Sequence, residues 1–385
     1  MPKSKARSPK PTVPELLPPE ASEHASLYRT KAFPFVSEGT VYCFGLREYL
    51  VEPSIPRGES AIHALLALDS GTVFGLTGGE RSHLFYFHPA FGVAHVAPLG
   101  DGPAAGGALL DPGGNQVLGG WWGPKGGGLF RHDATVEIGQ GMEQFRGSKS
   151  AVERLTLPEA DQGIAALVGP TEAGVAYGLT PGGSLIAIDC KSFRTEVVAQ
   201  VAGAARAMVL LPWDTLLGAF AEGQLWEFDP RAKGLRALDA HAPCQKGKRH
   251  VAGVQSLVAA GDGLVYGGTG TDGFLFSYEP ALGTVVNLGK PNRQSNIRAL
   301  AQGHDGRLYG LVEEPQGMAH LFCYEPATRG FSDLGILGTG FPECWIAHSL
   351  GAMTVGPNGE LFIGETDAIS HLFIYYPPIP RQRTY

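Results

Sequence analysis

Residues 254–289 read VQSLVAAGDGLVYGGTGTDGFLFSYEPALGTVVNLG, and residues 297–335 read IRALAQGHDGRLYGLVEEPQGMAHLFCYEPATRGFSDLG. Each opens on a short apolar run and turns at an Asp-Gly pair (Asp262-Gly263, Asp305-Gly306). Each resumes with an aromatic followed by glycine (Tyr266-Gly267, Tyr309-Gly310). Each then closes on Leu-Phe-x-Tyr-Glu-Pro (Leu275 to Pro280, Leu321 to Pro326). Runs this short, rich in Val, Tyr and Phe and punctuated by Gly and Asp, are strands joined by tight turns. The stretch after the Tyr-Glu-Pro, Gly283 to Leu288 in the first copy, reads as a fourth strand.

The pattern recurs seven times, marked by three columns. A small residue stands on the first strand: Ala64, Ala108, Ala166, Ala207, Ser256, Ala299 and Ala352. A glycine ends the second: Gly75, Gly119, Gly178, Gly218, Gly267, Gly310 and Gly364. A leucine opens the third: Leu84, Leu129, Leu185, Leu225, Leu275, Leu321 and Leu372. Small residues let several sheets crowd round an axis, glycine allows close backbone approach or positive φ, and leucine fills the space between sheets. Seven units of four strands, their glycines 40 to 59 residues apart, predict an all-β, seven-bladed β-propeller of four-stranded antiparallel blades. The seventh copy ends at Tyr376 before Pro377-Pro378, one strand short. Thr40 to Leu46 (TVYCFGL) has strand character and no copy of its own, so it is expected to complete blade seven and remove the open edges. Residues 1–25, rich in Lys, Ser and Pro, read as a disordered tail; residues 26–385 read as one propeller domain, with blades from 61 to 376 and an insertion at 137–160.

Over residues 61–376 the repeat resembles the Tyr-Gly and Asp-Gly rich propellers with NHL-like and quinoprotein-like repeats. It lacks the Gly-Gly with spaced Tyr and Trp of kelch repeats, the Gly-His to Trp-Asp pairing of Trp-Asp repeats, and the sialidase Asp-box. The resemblance implies the fold and carries no catalytic residues with it.

Composition agrees. The 55 glycines and 29 prolines in 385 residues argue against a helical bundle, and 43% hydrophobic with 17% charged residues excludes a disordered chain. The glycines have no three-residue period, which excludes collagen. A net charge of -7 is no nucleic-acid footprint, and the short basic run Lys246 to Arg249 reads as a solvated loop. No apolar run approaches the ~18 residues that span a bilayer. No apolar stretch follows the basic Met1 to Pro11, so no secretory leader and a cytoplasmic location are expected. Five widely spaced cysteines read as reduced thiols.

Propeller ligands sit at the mouth of the central funnel, among the loops entering the first strands. The residue just before the small column reads His63, Gly107, Ala165, Arg206, Gln255, Arg298 and Gly351 round the ring. It is polar in four blades and tiny in three, as for a site with one rough wall. Entry loops add Arg57, Glu59, His250, Asn292, Arg293, Asn296, Glu343, Cys344, Trp345 and His348. Arginine pairs carboxylates bidentately, histidine exchanges protons near neutrality, and a rim tryptophan stacks on sugar faces. The candidate catalytic residues are therefore His63, His250 and His348. The candidate substrate-binding residues are Arg206, Gln255, Arg293, Asn296, Arg298 and Trp345. Together they would suit an acidic or polyhydroxylated carbohydrate ligand and a β-elimination on a uronic-acid sugar. Each of these side chains, taken singly, would also serve to bond a neighbouring carbonyl.

His83, His320 and His371 each precede the third-strand leucine. They read as a repeated hydrogen bond between blades, or as part of a polar cluster with Glu80, Glu313, Glu365 and Asp367. His241, Cys244 and His250, and Cys344 with His348, are zinc-ligand types without a recognised spacing, so no metal and no cofactor is expected. Trp121 and Trp122 read as a binding platform if exposed and as inter-blade core if buried. Two further functional classes compete. One is a non-catalytic protein-interaction scaffold using the tail or the 137–160 insertion, with an exposed apolar patch as its sign. The other is a lactonase-type metalloenzyme, ranked last because no first strand offers Asp or Glu at axial depth.

Overall fold

The computed structural model describes residues 36–46, 55–89, 92–135, 137, 152–155, 157, 163–201, 203, 207–248, 253–314, 317–339 and 345–378. The 1–25 tail and most of the 137–160 insertion lie outside them.

Seven four-stranded antiparallel sheets follow one another in chain order. Blade one is Ala61–Ala67, Val73–Gly78, His83–His88 and Gly92–Pro98. Blade two is Gly106–Leu110, Gln116–Gly123, Gly126–Asp133 and Glu153–Leu155, the last drawn from the expected insertion. Blade three is Ala166–Val168, Val175–Leu179, Ser184–Asp189 and Thr195–Gln200; blade four is Met208–Leu210, Leu216–Ala219, Gln224–Asp229 and Gly234–His241. Blade five is Val254–Ala259, Val265–Thr269, Leu275–Glu279 and Thr284–Gly289; blade six is Asn296–Gln302, Leu308–Glu313, His320–Glu325 and Gly330–Ile336. Blade seven is Leu350–Val355, Leu361–Glu365 and His371–Tyr376, closed on the outside by Thr40–Gly45. That closing strand runs antiparallel to the third strand, from Thr40 opposite Tyr376 to Gly45 opposite His371. The ring is thus held shut by a strand from the other end of the chain, as the sequence predicts.

The glycine column works by close approach. Gly75, Gly119, Gly218, Gly267 and Gly310 lie opposite Phe85, Phe130, Trp226, Phe276 and Phe322 on the third strands. A methyl on Gly267 would stand 2.2 Å from the Phe276 ring, and one on Gly310 2.3 Å from Phe322. The aromatic ring lies flat over the bare backbone, and the glycine is what admits it. Positive φ belongs instead to the turn glycines between first and second strands, such as Gly263 at +83° and Gly306 at +80°.

Blade seven departs from the columns. Ala352 pairs with Gly364 as Ala64 pairs with Leu76 and Ala299 with Leu311. Gly364 therefore matches Leu311, and Ile363, opposite Phe373, stands where blade six has Gly310. The glycine column is out of register by one residue there. The next residue, Glu365, consequently occupies the interior position of Thr77 in blade one, Thr269 in blade five and Val312 in blade six.

The core consists of clusters between neighbouring blades. One joins Leu76, Phe74 and Tyr86 of blade one to Trp121 and Phe130 of blade two. Trp121, 8% exposed, is inter-blade core; Trp122 is half-buried.

Candidate functional site

Inner strands of all seven blades line a central cavity of about 290 Å3. Its wall is chiefly Ala and Leu, with Met208 and Met353, and its polar side chains are His63, Gln255 and Ser256. His63 and Gln255 sit near the starts of their strands, so polarity collects at the end where the entry loops and the second-to-third-strand loops meet. The His63 ring lies over Gly78, beside the Ala104 carbonyl, and Gln255 lies over Gly270. Burial, with the positive charge of Arg298 acting in the same direction, lowers His63 from the ordinary 6.5 to about 4. His63 is therefore a neutral imidazole at pH 7, in the field of an arginine from blade six.

Arg298 is committed on one side. Its Nε and Nη2 donate to Glu313, the last residue of the neighbouring strand. The other Glu313 oxygen accepts from Ser349 Oγ at 3.0 Å, and Ser349 Oγ accepts from Thr366 Oγ1 at 2.9 Å. The guanidinium has five N–H donors and is 42% exposed, so it can take a second anion. Asn296, opposite Glu313, has a buried Oδ1 with no partner. Arg293 is exposed beside it, and Asn292 bonds Asp333.

The most buried carboxylate among the described residues is Glu365, 0% exposed. In blades one, three and five a threonine hydroxyl at this position accepts the backbone N–H that opens the third strand: Thr77 from His83, Thr180 from Ser184, Thr269 from Phe274. Glu365 accepts the corresponding N–H, from His371, at 3.0 Å, and also His371 Nδ1 at 3.0 Å, Trp345 Nε1 at 2.9 Å and the His348 N–H at 3.4 Å. Trp345, on a two-stranded ribbon formed with Gly338–Thr339, stacks on His371 with ring centroids 4.1 Å apart. One face and the indole N–H of Trp345 are therefore already occupied. Burial and then the Glu365 charge raise half-buried Asp367 above the usual carboxylate range, with exposed His348 acting against them.

The expected histidine bonds between blades form within blades instead. His83 pairs with Glu59 at 2.6 Å, His320 with Asp333 at 2.9 Å and His371 with Glu365, because the carboxylates on each blade's own loops and outer strand are nearer than those of its neighbours. His83 Nδ1 also meets His95 Nε2 at 3.0 Å. Burial, then the charge of His83, hold His95 down at about 4, against a hydrogen bond to the Ala97 carbonyl that pulls it up.

Of the expected site residues, His63 and Gln255 share the central cavity and Arg298 acts on His63, whereas Trp345 and the His348 backbone are held at Glu365 and Asn296 and Arg293 lie on or just before the first strand of blade six. Arg206 and His250 lie outside the described residues. So does Cys344. Among the described residues no three His, Cys, Asp or Glu side chains are arranged to hold a metal ion.

Solved structures place the fold. No protein-family model matches the chain, and no curated protein matches it in sequence. Its fold is a seven-bladed β-propeller. The selenomethionine-substituted virginiamycin B lyase from Staphylococcus aureus superposes with a TM-score of 0.64 at 9% identity, over 89% of this chain and 100% of that one. The WD40 β-propeller domain of Doa1 gives 0.60 at 12%, over 90% and 99%. The extracellular domain of a putative one-component system from B. thetaiotaomicron gives 0.60 at 12%, over 86% of this chain, which spans 40% of that protein's length. At these identities the likeness is one of fold, and it agrees with the general propeller resemblance of the repeats.

Burial lowers three histidines, His63, His88 and His95, and the large shifts of His63 and His95 have a consequence for stability. Above pH 6.5 both are neutral in folded and unfolded chains alike. Between 6.5 and about 4 the unfolded chain binds protons that the folded one refuses, so stability falls through that window. Asp367, raised by burial and by Glu365, acts oppositely: its contribution is present at low pH and lost as pH rises through its folded value. Urea midpoints at pH 7 and 5 should show a net loss on acidification, smaller in His63→Gln than in the wild type.

Proposed function

We propose that the protein binds an acidic, polyhydroxylated ligand, an oligosaccharide carrying a uronate, at the channel mouth between blades six, seven and one, and cleaves it by β-elimination. The observation that supports this is a neutral His63 on the channel wall in the field of the Arg298 charge. In a uronate, the proton on the carbon next to the carboxylate becomes removable once a cation stabilises the resulting charge. Arg298 supplies that cation. His63, uncharged, accepts the proton; the electrons of the broken C–H bond form a C=C bond, and the C–O bond to the leaving sugar breaks. A base at about 4 is weak in the free protein. The ligand's own carboxylate offsets the Arg298 charge that helps depress His63, so binding raises the base toward its working range. Virginiamycin B lyase shows that a propeller of this shape carries a lyase; the substrate class proposed here rests on the side chains at the mouth.

A ligand bound only by the folded chain raises its stability by about 2.7 kcal/mol at one hundred times Kd. Thermal unfolding with trigalacturonate is expected to show an upward shift in the wild type that is absent in Arg298→Gln. Neutral oligosaccharides should give less, and no shift with any sugar would turn the reading toward a scaffold. One observation favours that second reading: exposed Tyr42 and Tyr376 stack edge to face at 5.9 Å above a groove lined by Phe44, Phe87, Pro89 and Ile374, where the ring closes.

A further inference from the structure

At the end of the ring opposite the channel mouth, two hollows meet at the start of the closing strand. One is the apolar groove under Tyr42 and Tyr376, of about 450 Å3; the other is a cavity of about 850 Å3. Thr40 and Tyr376 line both, so the two adjoin. The cavity lies at the first-to-second-strand turns of blades six and seven, with His304, Asp305, Asn358 and Glu360 on its wall and the chain leaving along it at Pro377 and Pro378. Acids outnumber bases there. Glu38, Asp305 and Glu325 share one cation, Arg307, at 3.5, 3.9 and 3.2 Å. Glu360, 5% exposed, accepts from the Asn358 backbone N–H at 3.0 Å and its side-chain amide at 3.4 Å, and among the described residues no cation pairs with it. The buried Tyr375 hydroxyl has no partner; its ring lies against the Gly39 wall of the cavity, where a methyl would stand 2.8 Å from Cζ. Aromatic-lined grooves take proline-rich chains, which stack on the rings and, being stiff and extended already, lose little freedom on binding. Paired tyrosines beside unbalanced carboxylates fit such a chain with a basic flank.

We propose that the occupant of this seam is residues 3–19 of the same chain, with Pro11 and Pro14 against Tyr42 and Tyr376 and the basic flank toward Asp305 and Glu360. The stretch reads KSKARSPKPTVPELLPP. It carries Lys3, Lys5, Arg7 and Lys10 ahead of its first acid, Glu15, and its prolines include the Pro11-Thr12-Val13-Pro14 spacing. Its charge is therefore complementary to the cavity and its prolines to the groove. Connectivity favours it over a separate chain. The described chain starts at Val36 and reaches both hollows at Thr40. The intervening residues 15–35 can span up to about 70 Å when extended, ample for a return to the seam. A tether of this kind sets an effective concentration on the order of mM, which fills a contact too weak to hold a free peptide. The docked segment keeps the groove closed to other proline-rich chains. The elimination proposed above plays no part in this, since the two sites lie at opposite ends of the ring.

The first test uses the full chain as an equal mixture of ordinary and nitrogen-15-labelled protein, treated with a carbodiimide that joins touching lysine and carboxylate groups without a spacer. Mass spectrometry should find Lys3, Lys5 or Lys10 joined to Asp305 or Glu360 in peptides of a single isotope, and these products should vanish in the double variant Pro11→Ala, Pro14→Ala. Absence of the products in the wild type overturns the proposal. Mixed-isotope products would show that a second copy supplies the segment, which overturns docking within one chain. The second test follows a fluorescent peptide of residues 3–19 by anisotropy. It should bind the double variant at least about 10-fold more tightly than the wild type, because the wild-type groove already holds a tethered competitor. Adding Tyr42→Ala to the double variant should abolish that binding, with an unchanged melting transition verifying the fold. Equal affinity for wild type and double variant, or no binding to the double variant, overturns the proposal.

Discussion

Glu365→Ala should cost about 3–5 kcal/mol of folding stability, the range for breaking a buried charged pair by removing one partner. The alanine leaves the Trp345 indole N–H, the His371 ring and the His371 backbone N–H without their acceptor in a region closed to water. Each unmatched buried donor costs on the order of 1–3 kcal/mol. Glu365→Thr separates the two tasks of the residue. Blades one, three and five close the same turn with threonine, so threonine should restore the backbone hydrogen bond and recover part of the loss. It cannot serve Trp345 and the His371 ring together. Urea unfolding of the three proteins checks the order: wild type above threonine above alanine. An alanine variant as stable as the wild type would show that the cluster is not held by this carboxylate.

Removing the chain through Leu46 should have the larger effect. It strips the outer strand from blade seven, with all six pairs from Thr40 to Gly45, and takes Cys43 and Leu46 out of the core. It also lays open the edge of His371–Tyr376, whose Leu372, Phe373, Ile374 and Tyr375 are buried. A bare, apolar strand edge is a template for pairing with another chain. The loss is expected to reach about 5 kcal/mol or more, comparable to the whole stability of many domains. Light scattering should detect association, and thermal scans should show the cooperative transition lost or strongly lowered. A monomer that melts like the full chain would mean that the ring does not depend on this closure.

The fold was legible because the propeller repeats its own constraints. The aromatic at Phe276 or Phe322 needs a bare backbone opposite, so the glycine recurs wherever the sheet recurs. The closing strand was legible by elimination, since TVYCFGL had no other blade to join. The site was only half legible. His63, Gln255 and Arg298 stand out because a ring position that should repeat does not. Glu365 and Asp367 entered only through the alternative polar cluster around His83, His320 and His371, not at the channel mouth, and the reason is a single residue of register. With Gly364 placed in the glycine column, Glu365 looks like an ordinary loop acid. With Ile363 in that column, Glu365 falls where other blades bury Thr77, Thr269 or Val312, and a carboxylate there demands an explanation. Trp345 shows the opposite limit. Its type and place fit a sugar platform, but composition cannot reveal that its N–H and one face are taken by Glu365 and His371. Nor can spacing reveal which carboxylate each of His83, His320 and His371 will find, because that depends on loop geometry within the blade.

The central claim is that the mouth of the channel is built around a histidine held neutral first by burial and then by a neighbouring arginine, whose part a ligand carboxylate would offset. Titrating the His63 imidazole by nuclear magnetic resonance, free and with saturating trigalacturonate, tests it most directly. In the free protein His63 should titrate at about 4, and its value should rise in Arg298→Gln, which removes the opposing charge. In the complex it should rise in the wild type as the ligand carboxylate meets Arg298. A His63 that titrates near 6.5 and is unmoved by either the substitution or the ligand would contradict the account.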